Sequence, residues 1–369
     1  MNPFEQRTEA VQAALGDSGA DALVCVPGRT LQYLTGFEEP QRDRHLLFVV
    51  SQTGEPAAFL PALSAAQFRT ETWVREVETW NDGDDPVAAL SGFFDNRDVP
   101  AAPHLLVDDT MWATVLQDVR SVRPDATVGL ASEVVADIRL RKDDAEIDAL
   151  RRASAAADDA LDAVRALGAD AVGLTEAELA GRIESFLTDA GGGSLSFETI
   201  VGSGPSGAMP HHTHGDREIR AGEPVVLDFG ARVDGYPGDQ TRTLVFGGDP
   251  RERVGEVHDV VRRAQEAAVG AVEPGVTAGS VDDAARSVIE DAGYGDAFVH
   301  RTGHGVGLDV HEPPNIAAGN DTELRPGMAF SVEPGIYLDG EFGVRIEDLV
   351  VVTESGCERL NHTPRGWEC

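Results

Sequence analysis

Apolar and polar positions along the chain fall into two regimes. Up to about residue 130, short apolar runs at 22–26, 45–50, 57–60 and 104–107 alternate with stretches at 9–15, 65–70, 86–94 and 111–122 in which apolar residues recur every three or four positions. Unbroken runs of this length read as strands and the 3.6-residue spacing as helices. The pattern predicts a layered α/β domain that carries no catalytic constellation of its own.

Further on, the periodicity lengthens. Ile147, Leu150, Ala157, Leu161 and Val164 predict one long helix with a single apolar stripe. Thr175 and Glu178 form a capping box that opens a second helix, with Leu179, Ile183 and Leu187 facing inward and a stop at Asp189-Ala190-Gly191. The same order returns about 100 residues later, as helical patterns over 254–272 and 281–290 and a stop at Asp291-Ala292-Gly293. The strand sections match as well. Gly222 lies six residues before Asp228, and Gly327 six before Glu333. Asp239 follows Asp228 after 11 residues and Glu347 follows Glu333 after 14, each across a glycine-containing turn. This is an internal duplication: each half supplies two helices and a hairpin, and each hairpin two carboxylates. Packed about a pseudo-two-fold, the halves would bring four carboxylates to one point. The charged run from Arg139 to Asp144 between the regimes reads as a hinge, giving expected domains at 1–132 and 133–369.

Composition narrows the field. A chain of 369 residues with 41% hydrophobic content can bury two cores. It has no apolar run long enough for a membrane span, and its start lacks the apolar core of a signal peptide, so the expected location is cytoplasmic. The net charge is −34, from 64 acidic and 30 basic residues, and Lys142 is the only lysine. Such a surface repels phosphate, which excludes nucleic acid as a partner. It reads as an adaptation to molar salt, a solvent property that says little about chemistry. Cys25, Cys357 and Cys369 have no metal-binding or redox spacing and read as free thiols.

Five residues carry the chemistry: Asp228, Asp239, His304, Glu333 and Glu347. Four carboxylates and one imidazole make a hard, oxygen-rich donor set suited to a pair of divalent ions. The bland alternative is that these acids are solvated turn residues like most others. Local context argues against it, because Asp228 follows Pro-Val-Val-Leu and Glu333 follows Met-Ala-Phe-Ser-Val, buried-type strands where an unpaired carboxylate is costly. Six of the ten histidines fall in two windows, 211–214 and 300–311, a clustering that suggests function; His212 and His214 receive no role. Gly202-Ser-Gly204-Pro-Ser-Gly207 formally matches a dinucleotide-binding pattern, but Ala-Met-Pro-His-His follows in place of a helix opening.

In these motifs residues 171–349 resemble the pita-bread metallopeptidases, which include methionine aminopeptidase, prolidase and aminopeptidase P. The segments LQYLTGF and IRLRKDDAEIDALRRA resemble the creatinase-type N-terminal domain of the last two. The resemblance implies an α/β N-terminal domain before a pita-bread catalytic domain. It implies that Asp228 is a terminal ligand of one metal, that His304 and Glu333 are terminal ligands of the other, and that Asp239 and Glu347 bridge. It further implies that Glu333 is the general base, that His211, His300 and His311 contact substrate and handle protons, and that Arg345 stands beside the site. The implied reaction is hydrolysis of the Xaa-Pro bond at the N-terminus of a small peptide, with prolidase favoured slightly over aminopeptidase P. The implied cofactors are two divalent ions, Mn²⁺ foremost and Co²⁺, Zn²⁺ or Fe²⁺ as alternatives, and the implied assembly is a homodimer. Methionine aminopeptidase is disfavoured by the extra N-terminal domain. A creatinase- or ectoine-hydrolase-like amidohydrolase is the second reading, and a non-enzymatic binding module the third; the intact ligand set weighs against the module.

The acidic surface generates a direct expectation. Raising KCl from about 0.1 M to about 2 M shrinks the Debye length from roughly 10 Å to below 3 Å, so the thermal midpoint should climb by several degrees. A midpoint that is flat or falls in a calorimetric salt series would remove the salt-adaptation reading.

Overall fold

The computed structural model describes residues 2–97 and 99–369, which divide between Arg139 and Leu140 into two compact units. The first unit is built on a six-stranded sheet ordered β4-β3-β2-β1-β5-β6. Its strands are β1 (Ala22–Cys25), β2 (Leu47–Ser51), β3 (Ala57–Pro61), β4 (Glu76–Trp80), β5 (His104–Val107) and β6 (Thr127–Leu130). Strands β1, β2 and β3 pair antiparallel, whereas β3–β4, β1–β5 and β5–β6 are parallel. The helices of this unit are α1 (Pro3–Ser18), α2 (Arg29–Thr35), α3 (Ala62–Glu71), α4 (Pro86–Asp95), α5 (Ala113–Val122) and α6 (Ser132–Leu140).

The four inner strands are buried along their whole length or nearly so, which is why each reads as an unbroken apolar run. The sequence pattern does not reveal the two edge strands. Glu-Val-Glu-Thr-Trp in β4 is mostly exposed or half-buried, and β6 is exposed at both ends, so neither forms an apolar run. Helix α2 escapes notice for the opposite reason. All its residues but Arg29 are buried, so it has no polar face to set against an apolar one.

The second unit repeats itself. Its first half contains α7 (Asp144–Arg165), α8 (Glu176–Asp189) and the antiparallel sheet β11-β8-β7. These strands are β7 (Ile200–Ser203), β8 (Pro224–Phe229) and β11 (Gln240–Val245), with a small ribbon of β9 (Arg232–Val233) and β10 (Tyr236–Pro237) inserted before the last. The second half has α9 (Glu252–Gly270), α10 (Ala278–Asp291), β12 (Gly303–Gly305), β13 (Glu312–Ile316), β14 (Ala329–Val332), β17 (Asp348–Thr353) and β18 (Gly356–Arg359). Its sheet runs β13-β12-β14-β17-β18, and its ribbon is β15 (Gly335–Leu338) with β16 (Phe342–Arg345). Strands β7, β8 and β11 thus correspond to β12, β14 and β17. Each half buries its own core, with Leu161, Ile183 and Phe229 in the first and Val257, Ile289 and Phe330 in the second.

The expected helix start at Thr175 is present where the pattern puts it. The Thr175–Glu178 capping box is reciprocal, and Asp143 with Glu146 makes a second one at α7. The run read as a hinge is tied down on its C-terminal side. Lys142 N bonds Gly327 O at 2.7 Å, and its fully buried ammonium donates to Glu312 Oε1 at 2.7 Å. Among the described residues no helix is long and apolar enough to cross a membrane.

Register places the acids. Asp228 sits in β8 opposite Thr241, and Asp239 immediately precedes β11. In the second half Val332 faces Asp348, so Glu333 and Glu347 stand just past the end of the ladder on facing strands. The 11- and 14-residue gaps are the inserted ribbons. Strand β12 requires its glycines, because a Cβ at Gly303 would overlap Ser331 O and one at Gly305 would overlap Pro313 O. Only a bare backbone lets His304 enter between β13 and β14.

Leu161 is fully buried at the centre of the α7 stripe. Leu161→Ala should cost about 2–5 kcal/mol of stability, read as a lower denaturant midpoint with an unchanged slope. A loss well below this range would show that the alanine-rich α7 seam closes over the gap.

Candidate active site

All nine residues singled out in the sequence line one cavity of about 710 Å³ in the second unit. Asp228, Asp239, His304, Arg345 and Glu347 are buried, and Glu333 is half-buried at its wall. Strands β8 and β12, together with the residues just after β14 and just before β11 and β17, supply the five acidic and imidazole donors, so both halves contribute.

The arrangement fits a divalent cation. One ligand atom each from Asp239, His304 and Glu347 lie within 4.8 Å of one another. His304 Nε2 is 3.3 Å from Glu333 Oε1 and 3.7 Å from Asp239 Oδ2. Its other nitrogen, Nδ1, is 3.2 Å from Gly305 O, and a carbonyl only accepts, so the ring proton sits on Nδ1. Burial, and after it His311, pulls the His304 pKa down to about 3, so the ring stays neutral. A neutral imidazole therefore aims its lone pair at carboxylates, an arrangement that a cation between them makes favourable. The Nδ1–H to carbonyl bond is the usual orientation of a metal-binding histidine. Asp228 Oδ1 is buried and receives no hydrogen bond from a described donor, while Oδ2 is held by Arg345 Nη2 at 2.7 Å.

Without a cation the site holds protons. Burial first, then the charges of Asp228 and Glu333, push the Asp239 carboxyl well above its usual range. Burial, Asp239 and Glu333 do the same to Glu347, against the pull of the Thr241 hydroxyl on its Oε2 at 2.6 Å. Glu333 rises to about 7, chiefly through burial, with Arg345 opposing.

The other predicted residues separate by environment. His211 is exposed into the cavity, and His311 packs its ring 4.0 Å from that of His304. His300 is engaged at both nitrogens, Nδ1 with Arg301 O at 2.7 Å and Nε2 with Tyr337 Oη at 2.9 Å. Arg345 spends its donors on Asp228, Thr241, Tyr337 and Pro210 O. His212 and His214 point elsewhere, to Glu176 and Thr199 O. Residues 204–208 wind a single short 3-10 turn, so the glycine pattern there opens no phosphate-binding helix.

Sequence reasoning missed Tyr337, Thr241, Arg301 and Ser331. Tyr337 bridges Arg345 and His300. Thr241 donates to Glu347, and Ser331 links the His304 backbone to Glu333 at 3.0 and 3.1 Å. The available signal was position: Thr241 lies two residues beyond Asp239, Ser331 two before Glu333, and Tyr337 four after it.

Comparison with known proteins agrees with this geometry. Residues 148–354 match metallopeptidase family M24, and residues 7–141 match the creatinase/prolidase N-terminal domain. The chain is 42% identical to a probable dipeptidase PepE of Mycobacterium tuberculosis, over 98% of this chain and 95% of that one. It is 35% identical to an Xaa-Pro dipeptidase of Lactobacillus delbrueckii subsp. lactis, covering 97% of each. Among solved structures, a recombinant prolidase from Thermococcus sibiricus superposes with a TM-score of 0.92 at 37% identity, covering 100% of this chain and 99% of that one.

The raised carboxyls give a signed prediction. Near pH 6.5 the chelator-treated protein holds protons on these groups, and a cation must displace them, so loading should release about one proton or more per site. The release should shrink as pH climbs through about 7, where Glu333 ionises unaided. Calorimetric titration in buffers of different ionisation enthalpy measures it. Release that is absent at the lower pH would contradict the proton-holding site.

Proposed function

The chain belongs to metallopeptidase family M24, and we propose that it hydrolyses the Xaa-Pro bond at the N-terminus of dipeptides or short peptides, with the dipeptidase activity favoured. The observation that carries this reading is the convergence of Asp228, Asp239, His304, Glu333 and Glu347 on one cavity whose wall also presents His211 and His311. Relatives named Xaa-Pro dipeptidase at 35–36% identity favour it over an amidohydrolase of the creatinase or ectoine-hydrolase kind.

Family membership implies divalent metal ions. Two would be held by Asp228, Asp239, His304, Glu333 and Glu347, a donor set of four carboxylates and one imidazole. Mn²⁺ is the proposed native ion, ahead of Co²⁺, Zn²⁺ or Fe²⁺. Such ions, when bound, supply Lewis acidity that polarises the scissile carbonyl and makes a water nucleophilic near neutral pH. The protein's own groups do the rest. Glu333, steadied by the Ser331 hydroxyl, takes the proton from the attacking water and passes it to the departing proline nitrogen. That nitrogen belongs to a tertiary amide and has no hydrogen of its own, so it cannot leave as an amine without this proton. His211 and His311 donate to the carbonyl oxygen as negative charge develops on it. Arg345 holds the Asp228 carboxylate in place through its 2.7 Å contact. A homodimer in the cytoplasm completes the proposal.

The deciding assay compares Xaa-Pro dipeptides, Xaa-Pro-containing tripeptides and ectoine at high salt, with and without Mn²⁺. Cleavage of Gly-Pro-type dipeptides only with metal is expected. Asp239→Ala or Glu347→Ala should abolish turnover together with one or both ions, and His311→Ala should keep the ions and lower kcat about 100-fold. Ectoine turnover without peptide cleavage would overturn the assignment, as would an active, fully metallated Asp239→Ala.

A further inference from the structure

Two buried carboxylates outside the proposed ligand set lie on corresponding helices of the duplicated unit, about one turn apart along them. Glu176 is the first residue of α8, and Asp282 lies in the second turn of α10. Both are fully buried, and neither lines the cavity. Each accepts the backbone N–H and the hydroxyl of a single residue on, or next to, a strand that contributes to the cavity wall. For Glu176 Oε1 the donors are Ser203 N at 2.8 Å and Ser203 Oγ at 2.7 Å, at the end of β7. For Asp282 Oδ1 they are Thr302 N at 3.0 Å and Thr302 Oγ1 at 2.7 Å, just before β12.

The remaining oxygens take hold of histidine-bearing segments. Glu176 Oε2 accepts from His212 Nε2 at 2.8 Å and Gly215 N at 3.1 Å, so it grips the loop from which His211 projects. Asp282 Oδ2 accepts from Arg286 Nε at 2.9 Å. Arg286 in turn donates to the carbonyls of Phe298 and His300 at 3.3 and 3.1 Å, and its guanidinium lies 4.3 Å over the Phe298 ring. That ring meets His300 edge-on at 5.2 Å. A buried carboxylate persists only with its lone pairs satisfied. Here the donors come from the segments that carry His211 and His300, or from an arginine that holds one of them. The His211 side chain makes no hydrogen bond to a described residue of its own, so its place depends on the loop beneath it.

We propose that Glu176 and Asp282 are a matched pair of positioning residues, one from each half, that hold His211 and the His300–Tyr337 pair at the cavity wall. The proposal rests on the functional reading above only for its kinetic arm. In Glu176→Gln and Asp282→Asn, an amide N–H₂ is turned toward existing donors. In Ser203→Ala and Thr302→Val, one donor is removed and the carboxylate stays.

All four variants should retain wild-type metal content. The amide variants should lose roughly 10- to 100-fold in kcat/KM, the hydroxyl variants less, and Ser203→Thr should restore wild-type behaviour by returning the hydroxyl. In histidine-labelled, metal-free protein, the ring resonances of His211 and His212 should move in the Glu176 and Ser203 variants. Those of His300 should move in the Asp282 and Thr302 variants. If the amide variants fail to fold, the hydroxyl pair carries the test. Variants with a lowered melting temperature, wild-type kcat/KM well below it and unmoved resonances would overturn the proposal, because the carboxylates would then merely stabilise the fold. A wild-type protein that cleaves no Xaa-Pro substrate sinks the functional reading instead, and the resonances still decide the positioning.

Discussion

Like charge crowded out of water is the constraint on which the rest of this structure depends. Asp228, Asp239, Glu333 and Glu347 share one cavity with a neutral imidazole, and Arg345 at its wall pairs with Asp228 alone of the four. Two charges about 4 Å apart repel by roughly 4 kcal/mol at the effective dielectric of a partly buried site. The molecule has two ways to relieve this: bind protons or bind cations. The upward shifts at Asp239, Glu347 and Glu333 are the first, and the free lone pair of His304 with the unsatisfied Asp228 oxygen prepares the second. Such a centre exists only if the surrounding fold holds the carboxylates in place while they repel.

Duplication is how the fold does so. Each half delivers two acids from adjacent antiparallel strands, where the ladder leaves little freedom, and each inserts a ribbon between them. Behind Glu347 one buried carboxylate, Asp348, gathers three guanidinium groups. Arg242, with no exposed surface, donates to Asp348 at 2.8 Å and to the Glu347 carbonyl at 2.5 Å. Arg359 and Arg365 close on the same Asp348, and Arg242 also reaches Thr363 O and Pro364 O. The last residues of the chain are thereby fastened to the back of the cavity. Removing one partner from such a cluster would leave a buried charge uncompensated, which is costly.

The sequence made the catalytic unit legible because its signals are local and repeated. Capping boxes at Thr175 and the paired Gly222–Asp228 and Gly327–Glu333 spacings mark helix starts and strand ends without any three-dimensional knowledge. Edge strand β4 and buried helix α2 were illegible because one lacks an apolar run and the other lacks a polar face. The same limit applies at the cavity. Glu333 announces itself as an acid after an apolar strand, whereas Tyr337 and Thr241 are ordinary strand residues until the fold brings them to Arg345 and Glu347. By sequence alone Glu176 is one more acid in a helix's first turn. Its importance lies in Ser203, His212 and Gly215, partners 27 to 39 residues away.

Hydrogen-bond direction finally divides the three cavity histidines outside the proposed ligand set. His300 Nδ1 faces the Arg301 carbonyl, so it carries the proton and Nε2 must accept from the Tyr337 hydroxyl. Burial pushes the Tyr337 hydroxyl pKa up to about 12 and pulls that of His300 down to about 4, so the bond keeps this sense at neutral pH. Tyr337 in turn accepts from Arg345 Nη1 at 2.9 Å. The chain Arg345 to Tyr337 to His300 to the Arg301 carbonyl therefore runs one way and ends on backbone, leaving His300 no N–H to offer a substrate. His211 and His311 have both ring nitrogens uncommitted among the described residues. Of the three, only they can supply a proton-bearing nitrogen to a carbonyl oxygen, and the proposed reaction uses them for that, with His300 shaping the wall beside them.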